Sequence, residues 1–212
     1  DSFYNYFQTK EGPVSIPVTL LVSGMGIVEE EGHVTGASLR RTDSLLAIIG
    51  HTSADLGGSV FARRHGLENA PVPATRTEEA LSCYRQYHEA LKKGYIRSTH
   101  DVGEGGLATA LAEMAFSGKA GLEIDLCSLP MDDDASKAAM LFGESPSRLV
   151  IEVAPEHLAK VADLFDGLPF AALGRATSSH ANLRVEWGKE ILLDEALSDL
   201  KTLWKTGLAR YY

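Results

Sequence analysis

The segment Ser98–Leu107, which reads Ser-Thr-His-Asp-Val-Gly-Glu-Gly-Gly-Leu, combines residue types that can bind a phosphate group. Its glycines let the backbone turn tightly before an apolar helix, so that free amide N–H groups and the helix dipole face whatever lies above the loop. Asp101 adds a hard oxygen ligand of the kind that holds Mg²⁺ against a phosphate. The same residues are also typical of an ordinary turn or helix start capped by Asp101, with His100 as a satisfied hydrogen-bonding residue, and the pattern alone favours this simpler interpretation.

A second polar cluster, Phe142–Arg148 (Phe-Gly-Glu-Ser-Pro-Ser-Arg), stands just before a predicted strand. A carboxylate, two hydroxyls and a guanidinium can together recognise a ribose and a phosphate. The alternative is a capped loop with a surface ion pair. We expect a weak anion site where the Asp101 loop (residues 101–106) meets the Glu144 loop (residues 144–148), with Mg²⁺ bridging the two carboxylates to the anion.

Of the remaining motifs, one leaves two interpretations open and the others exclude particular kinds of chemistry. Gly57-Gly58-Ser59 is typical of either an anion-binding turn or a helix-initiation turn. Gly24-Met25-Gly26 lacks the third glycine of a dinucleotide-binding fingerprint. The sequence contains no Gly-x-Ser-x-Gly elbow and no pair of histidines at helical metal-binding spacing. We interpret the acidic run Asp132–Asp134 as a solvated loop or helix start, because the other ligands of a calcium loop are missing.

Composition and charge narrow the class of protein. The chain has 212 residues, 44% of them hydrophobic, which is enough for a full core without a metal or disulfide. Its net charge of −9 disfavours nucleic acids and anionic membranes as partners. The apolar run Ile16–Val28 is too interrupted to span a bilayer.

Cys83 and Cys127 form no Cys-x-x-Cys pair, so we expect two buried, reduced thiols in a cytoplasmic protein. The start at Asp1, without an initiator Met, suggests an excised piece of a longer protein.

The hydrophobic pattern predicts irregularly alternating strands and helices, and hence a mixed sheet flanked by helices in the α/β (α+β) class. Strands are predicted at residues 19–28, 45–49, 95–99, 121–126, 148–153, 170–173, 183–187 and 190–193. Helices are predicted at residues 60–64, 78–93, 107–116, 155–166 and 194–205, with one more ending at Leu141 and with Asp194 as the cap of the last. The apolar stripes of the helices at 77–93 and 107–116 require a sheet face to pack on.

Five blocks of sequence, in the same order along nearly the whole chain, resemble one known family. They are Asp1–Asn5, Ile16–Ser23, Leu56–Ser59, His100–Met114 and Phe142–Arg148. They resemble the C-terminal portion of the phosphoribosylformylglycinamidine synthase family (synthetase subunit), within the aminoimidazole-ribonucleotide-synthetase-like superfamily. The resemblance implies that residues 1–34 end an N-terminal-type domain and that residues 35–212 form a C-terminal-type domain, a layered mixed sheet flanked by helices. Residues 1–34 are then expected to form an incomplete sheet or to pair with a second copy of the chain, as a homodimer.

The resemblance also implies an activity. The family is a cytoplasmic ATP-dependent carbon–nitrogen ligase of purine biosynthesis, in which ATP, with Mg²⁺, activates the formamide oxygen of formylglycinamide ribonucleotide before ammonia displaces phosphate. The implied partners are the remainder of the synthetase polypeptide and a glutaminase subunit or domain that supplies the ammonia. The family's catalytic His and principal Mg²⁺ carboxylates match no residue here, so no catalytic residue is assigned and the isolated chain is expected to be inactive.

Few of the family's site residues can be carried over. Ser2 matches the serine of a substrate-binding loop. Asp101, Glu144 and Ser145 match positions that line an auxiliary nucleotide site, with Asp101 as the metal ligand. To this auxiliary site the residue patterns add Gly105, Gly106 and Arg148. Pro146 replaces a glutamine of the family motif, and Tyr6 stands where Glu is frequent.

Two other interpretations stay open from the sequence. One is a piece of another superfamily member: aminoimidazole ribonucleotide synthetase, selenophosphate synthetase or a relative of thiamine-phosphate kinase. The other is a non-catalytic association module whose sheet pairs with a partner.

Overall fold

The computed structural model describes residues 2–3, 6–15, 19–28, 30–67, 69–178 and 181–207. The chain divides into two compact units, residues 1–31 and residues 32–212. A short 3₁₀ turn, Glu31–His33, spans the division between them.

The first unit contains two small antiparallel ladders. Strand β1 (Ser2–Phe3) is followed by β2 (Tyr6–Thr9), β3 (Gly12–Ser15) and β4 (Thr19–Leu20). The strands β2 and β3 form a hairpin, and β1 pairs with β4. Each ladder in the described part of this unit has two strands, which is too few to bury a sheet face.

The prediction of a strand over residues 19–28, covered on both faces, is wrong. The strand ends at Leu20, and residues 21–28 have no regular secondary structure. Met25 and Ile27 are fully or almost fully exposed. The apolar, β-branched composition of the run suits a buried strand, but a strand persists only where neighbouring strands accept its hydrogen bonds. In the described unit, β4 has only the two residues of β1 as a partner.

The second unit is built on a seven-stranded mixed sheet in the order β11-β10-β7-β9-β5-β8-β6. The strands are β5 (Leu45–Ile49), β6 (Ile96–Asp101), β7 (Gly121–Asp125), β8 (Leu149–Val153), β9 (Phe170–Thr177), β10 (Asn182–Trp187) and β11 (Glu190–Ala196). All neighbouring pairs are antiparallel except β7 and β10, which are parallel.

Helices cover both faces of this sheet. They are α1 (Val60–His65), α2 (Thr77–Lys92), α3 (Gly106–Gly118), α4 (Lys137–Phe142), α5 (Leu158–Leu164) and α6 (Leu197–Thr206). The helices α3, α4 and α6 bury apolar side chains on one face, and α2 and α5 pack on the other. The predicted sheet with helices near residues 77–93 and 107–116 packed on it is therefore confirmed. None of the helices in the described ranges is long and apolar enough to cross a membrane.

Two predicted helices need correction. The predicted helix 155–166 is a 3₁₀ turn at Pro155–His157 followed by the seven-residue α5. The prediction that Asp194 caps the last helix is wrong, because Asp194 lies within β11 and α6 begins only at Leu197. The carboxylate of Asp194 instead accepts a hydrogen bond from Arg184 Nη1 at 2.9 Å, across the β10–β11 ladder.

The two cysteines differ in exposure. Cys83 is buried on α2, and burial, with a smaller effect of Glu79, raises the pKa of its thiol to about 11. Cys127 is exposed, so the prediction that both thiols are buried is wrong for this residue. The reason is local: β7 ends at Asp125, and Cys127 lies in the turn that follows.

Candidate functional site

The two loops singled out in the sequence meet in the structure through one carboxylate. Glu144 Oε1 accepts hydrogen bonds from the backbone N–H of Gly105 at 2.9 Å and of Val60 at 2.8 Å. These amides belong to the first turns of α3 and α1, where donors lack intrahelical partners and an anion is favoured. The carboxylate of Glu144 therefore accepts hydrogen bonds from backbone N–H groups that the sequence pattern predicted to be free for a bound anion.

The glycines of the Asp101 loop allow this close approach. Gly106 has a φ of +69°, and a Cβ atom there would lie 2.7 Å from the carbonyl oxygen of Gly143. Gly105, at the N-cap of α3, has a φ of +79°. A side chain at Gly106 would separate the two loops, so glycine is required for both space and backbone conformation.

Arg148 and Ser145 point into the protein. Arg148 is 1% exposed, and its guanidinium donates to Thr52 Oγ1 at 3.0 Å, to the Ser145 carbonyl at 3.2 Å and to the Gly143 carbonyl. Burial lowers its pKa to about 10, and the negative charge of Glu144 opposes that shift. Ser145 Oγ accepts a hydrogen bond from the backbone N–H of Ser53 at 2.9 Å. The alternative of a surface ion pair at Arg148 is therefore wrong, because these groups join the Glu144 loop to the segment after β5.

Asp101 lies at the end of β6 with its side chain 83% exposed. The interpretation of this residue as the cap of α3 is wrong, since Gly105 occupies the N-cap position. The ring of His100 lies beside it, with Nδ1 2.6 Å from the Asp101 carbonyl oxygen and 3.5 Å from Oδ1. The other ring nitrogen, Nε2, lies 2.9 Å from Glu113 Oε2. The sequence reasoning missed Glu113, although it lies on the helix that the motif initiates.

The donor set around Asp101 fits Mg²⁺ only in a limited way. Mg²⁺ usually keeps several waters and takes one or two carboxylates together with substrate phosphates. Asp101 can supply one such carboxylate. Among the residues that the structure describes, no three His, Cys, Asp or Glu side chains come together as a metal site. A metal at Asp101 would therefore depend on the phosphates of a nucleotide for its remaining ligands.

The motif Gly57-Gly58-Ser59 is a helix-initiation turn, which was one of the two interpretations of its sequence. Ser59 caps α1, its Oγ accepting a hydrogen bond from Ala62 N at 3.0 Å. A Cβ atom at Gly57 would lie 2.1 Å from the carbonyl oxygen of Ala70, so the backbone of residues 70–71 packs directly on this turn.

Ser2 lies in β1, where it pairs with Leu20. Its side chain is outside the described residues, so the substrate-binding role carried over for Ser2 stays a prediction.

The acidic run contributes one structural carboxylate that the sequence did not reveal. Asp132 accepts hydrogen bonds from Arg76 Nη2 at 2.7 Å and from Ala54 N at 3.0 Å, and its Oδ1 lies 2.8 Å from His51 Nε2. The interpretation of Asp132 as purely solvated is therefore wrong. It ties the segment after β5 to the segment that leads into α2.

Replacing Asp132 by asparagine is expected to destabilise the protein at neutral pH and to lose that effect in acid. The hydrogen bonds from His51 and Ala54 lower the pKa of Asp132 below 3.8. A lowered pKa stabilises the fold above pH 3.8, and the contribution disappears as the pH falls through the lowered value. Because the side chain is 31% exposed, the loss at pH 7 should stay below about 1 kcal/mol. Urea unfolding at pH 7 and pH 3 measures it, with Asp133→Asn as the control. A difference from wild type that is as large at pH 3 as at pH 7 would contradict this assignment.

The fold and the two loops define the class of protein. The family described as "AIR synthase related protein, C-terminal domain" matches residues 42–186. The chain belongs to this family.

The relatives point to one group within it. The chain is 32% identical over 205 residues to phosphoribosylformylglycinamidine synthase subunit PurL of Thermococcus sibiricus, covering 97% of this chain and 28% of the relative. It is also 32% identical over 210 residues to the PurL subunit of Moorella thermoacetica, covering 98% of this chain and 27% of the relative. The chain thus spans just over a quarter of the length of the curated relatives that it matches.

Solved structures share the fold. A structure described as Thermotoga maritima PurL complexed with ATP superposes with a TM-score of 0.63 at 15% identity, covering 89% of this chain and 28% of that one. The hydrogenase maturation protein HypE in complex with ATP gives a TM-score of 0.55 at 17% identity, covering 78% and 55%. At these identities the likeness shows the fold alone.

Proposed function

We propose that this chain is the C-terminal part of a phosphoribosylformylglycinamidine synthase subunit of the PurL type. The whole protein would be an ATP-dependent carbon–nitrogen ligase of purine biosynthesis that converts formylglycinamide ribonucleotide to its amidine. The observation that supports this most directly is the 32% identity to PurL along 97% of the chain. The fold supports the superfamily more broadly, since HypE shares it too.

Names of related structures support the cofactor and the partners of this proposal. T. maritima PurL is described in complexes with ATP and with FGAR, and in an assembly named PurLQS. By analogy, the partners proposed here are the rest of the synthetase polypeptide and a glutaminase that supplies ammonia. Mg²⁺ as the nucleotide's counterion, and the cytoplasm as the compartment, belong to the same proposal.

Within that enzyme, residues 32–212 would supply a rigid sheet whose strand ends and loops carry an auxiliary nucleotide site. Asp101 is the group in it that is exposed and unshielded enough to reach a metal-bound phosphate. Glu144, Ser145 and Arg148 would act by fixing the shape of the loops, because their polar atoms are engaged inside the protein. Gly106 allows the loops to touch, and Gly105 donates its backbone N–H to Glu144.

A chimera tests the assignment to PurL. This chain replaces the matching region of a PurL relative, and the product is assayed for ADP release that depends on formylglycinamide ribonucleotide. We expect activity above that of the relative truncated before this region. A chimera that folds, as shown by circular dichroism and a monodisperse profile, but is no more active than the truncated enzyme would contradict the proposal.

The isolated chain is expected to bind MgATP weakly and to hydrolyse none of it. Phosphoryl transfer needs a metal–phosphate clamp and an in-line acceptor, and Asp101 alone does not supply them. An open site with one carboxylate should bind at about millimolar Kd, near −4 kcal/mol. Calorimetric titration with ATP, with and without Mg²⁺, measures the affinity, and phosphate release measures turnover.

The variant for this titration is Asp101→Asn, with Glu104→Gln in the same exposed loop as the charge-matched control. Binding should require Mg²⁺, should be lost in Asp101→Asn and should persist in Glu104→Gln. Binding that ignores both Mg²⁺ and Asp101 would show that the Asp101 loop is only a helix-initiation turn. Phosphate release that depends on formylglycinamide ribonucleotide would contradict the expected inactivity.

A further inference from the structure

We infer that Glu113 and Trp204 are positioning residues, which hold the ring of His100 against Asp101 and so orient the carboxylate of the auxiliary site. The inference rests on the proposed function for its consequence, the binding of MgATP. The positioning itself is a property of the ligand-free chain.

The contacts run through three elements of the second unit. Trp204 Nε1, on α6, donates to Glu113 Oε1 at 2.9 Å. Glu113 Oε2, on α3, lies 2.9 Å from His100 Nε2, at the end of β6. Each carboxylate oxygen of Glu113 thus has its own partner, so the side chain is fixed from both sides.

The ring of His100 is likewise held at both nitrogens. Nε2 faces Glu113, while Nδ1 lies 2.6 Å from the carbonyl oxygen of Asp101 and 3.5 Å from its Oδ1. A ring held at both nitrogens cannot turn about its χ2 angle without losing a hydrogen bond. It therefore presents Nδ1 to Asp101 in one orientation.

This orientation matters because the Asp101 side chain has little else to fix it. Its backbone is secured, since Asp101 pairs with Leu149 and the next amide, Val102 N, donates to the Arg148 carbonyl at 3.0 Å. The carboxylate itself is 83% exposed. Groups behind a metal ligand commonly set its direction and its affinity. The hydrogen bond of His100 Nδ1 is to the backbone carbonyl of Asp101, so the ring acts on the carboxylate through the 3.5 Å contact between Nδ1 and Oδ1.

Trp204 is the residue farthest from Asp101 in the series of contacts that runs through Glu113 and His100. Its ring lies 5.7 Å from that of Phe116, centroid to centroid, while the side chain as a whole remains 61% exposed. Because the ring is only partly buried, packing alone does not fix its position. The hydrogen bond from its N–H to Glu113 adds a contact of defined direction. The helix α6 is thereby connected to the strand end that carries Asp101.

The variants separate hydrogen bonding from charge and packing. Glu113→Ala removes both bonds. Glu113→Gln keeps the shape and the bond from Trp204, which its carbonyl oxygen accepts, while its NH₂ can bond to His100 Nε2 only with the direction reversed, the amide donating and the ring nitrogen accepting. Trp204→Phe removes only the N–H and keeps a ring beside Phe116. Leu203→Ala, at the neighbouring exposed position on α6, is the matched control.

The first measurement is NMR on the ligand-free chain, following the ring nitrogens of His100 and the carboxyl carbon of Asp101. We expect both signals to shift in Glu113→Ala and, by less, in Trp204→Phe, and to stay in place in Leu203→Ala. Backbone amide signals far from these residues report that each variant is folded. An Asp101 carboxyl signal that is unchanged in folded Glu113→Ala and Trp204→Phe would overturn the inference, whether or not the chain binds nucleotide.

The second measurement is calorimetric titration with MgATP. Loss of Glu113 should weaken binding roughly tenfold, as is usual for residues that orient a metal ligand. Glu113→Gln should stay close to wild type, which a role through negative charge would not allow. Equal affinity in Glu113→Ala and wild type would also overturn the inference. If wild type binds no MgATP while the NMR shifts occur, the auxiliary site proposed above fails and the positioning role stands.

Discussion

Replacing Arg148 by alanine is expected to lower the free energy of unfolding by about 3–5 kcal/mol, since three buried neutral acceptors lose a charged donor and the volume of the side chain is lost from the core. The guanidinium is 1% exposed and serves Thr52, Gly143 and Ser145. Alanine would leave these three acceptors buried without donors and would open a cavity beside β8. The Glu144 loop would then lose its attachment to the segment after β5.

A second variant separates the lost hydrogen bonds from the lost volume. Arg148→Met fills most of the space and removes a charge whose burial is costly, as the lowering of the Arg148 pKa to about 10 shows. It still leaves the acceptors unpaired, so we expect a smaller loss of about 1–3 kcal/mol. Arg175, whose side chain is 67% exposed in an ion pair with Glu123, provides the control, and Arg175→Ala should cost less than about 1 kcal/mol.

Urea unfolding followed by circular dichroism measures all three variants. The expected order of destabilisation is Arg148→Ala, then Arg148→Met, then Arg175→Ala. An Arg148→Ala variant no less stable than Arg175→Ala would show that the buried hydrogen bonds contribute little. If Arg148→Ala is too unstable to purify, Arg148→Met, which retains most of the packing, measures the cost of the unpaired acceptors.

Much of the second unit was predictable because its strands and helices follow strong local patterns. The apolar run Leu45–Ile49 matches β5 at both ends, since a short apolar segment stopped by glycine is too short for a helix and suits a buried strand. The helix predicted at 78–93 agrees with α2 to within one residue at each end, because its apolar stripe repeats at helical spacing.

What the sequence could not reveal depends on partners far along the chain. The motif glycines correctly indicated that the Asp101 loop turns tightly before a helix. Nothing local shows that Arg148 reaches Thr52, 96 residues away, or that Glu144 accepts from Val60 and Gly105, 84 and 39 residues away. The strand prediction for residues 19–28 was wrong for the same reason. Composition indicates which faces of a strand could be buried, but not whether neighbouring strands are present to pair with it.

Glu152 is a further case of a charged residue whose role the pattern conceals. It lies in β8 within Leu-Val-Ile-Glu-Val and is completely buried. Its Oε1 accepts from Arg41 N at 3.0 Å and Ser44 Oγ at 2.5 Å. Its Oε2 accepts from Arg40 N at 2.9 Å and Ser98 Oγ at 2.6 Å. One carboxylate thus attaches the segment before β5 to β6.

Replacing Glu152 by alanine is expected to cost about 3–5 kcal/mol, because donors that a buried carboxylate satisfied would remain buried without an acceptor. The hydroxyls of Ser44 and Ser98 belong to completely buried residues and lose their acceptor, as do the backbone N–H groups of Arg40 and Arg41. Glu152→Gln should cost less, about 2 kcal/mol, since its amide nitrogen would face only one of those N–H groups. Urea unfolding measures both variants.

A double-mutant cycle with Ser98 tests whether the carboxylate is the cause. In wild type, Ser98→Ala removes a bond to a charged acceptor and should cost about 1.5–3 kcal/mol. In the Glu152→Ala background the same change should cost almost nothing, because the acceptor is already gone. Ser82→Ala, whose hydroxyl donates to the Glu78 carbonyl of its own helix, should cost the same in both backgrounds. If Ser98→Ala is equally costly with and without Glu152, its hydroxyl acts through packing, and the carboxylate does not organise this part of the sheet.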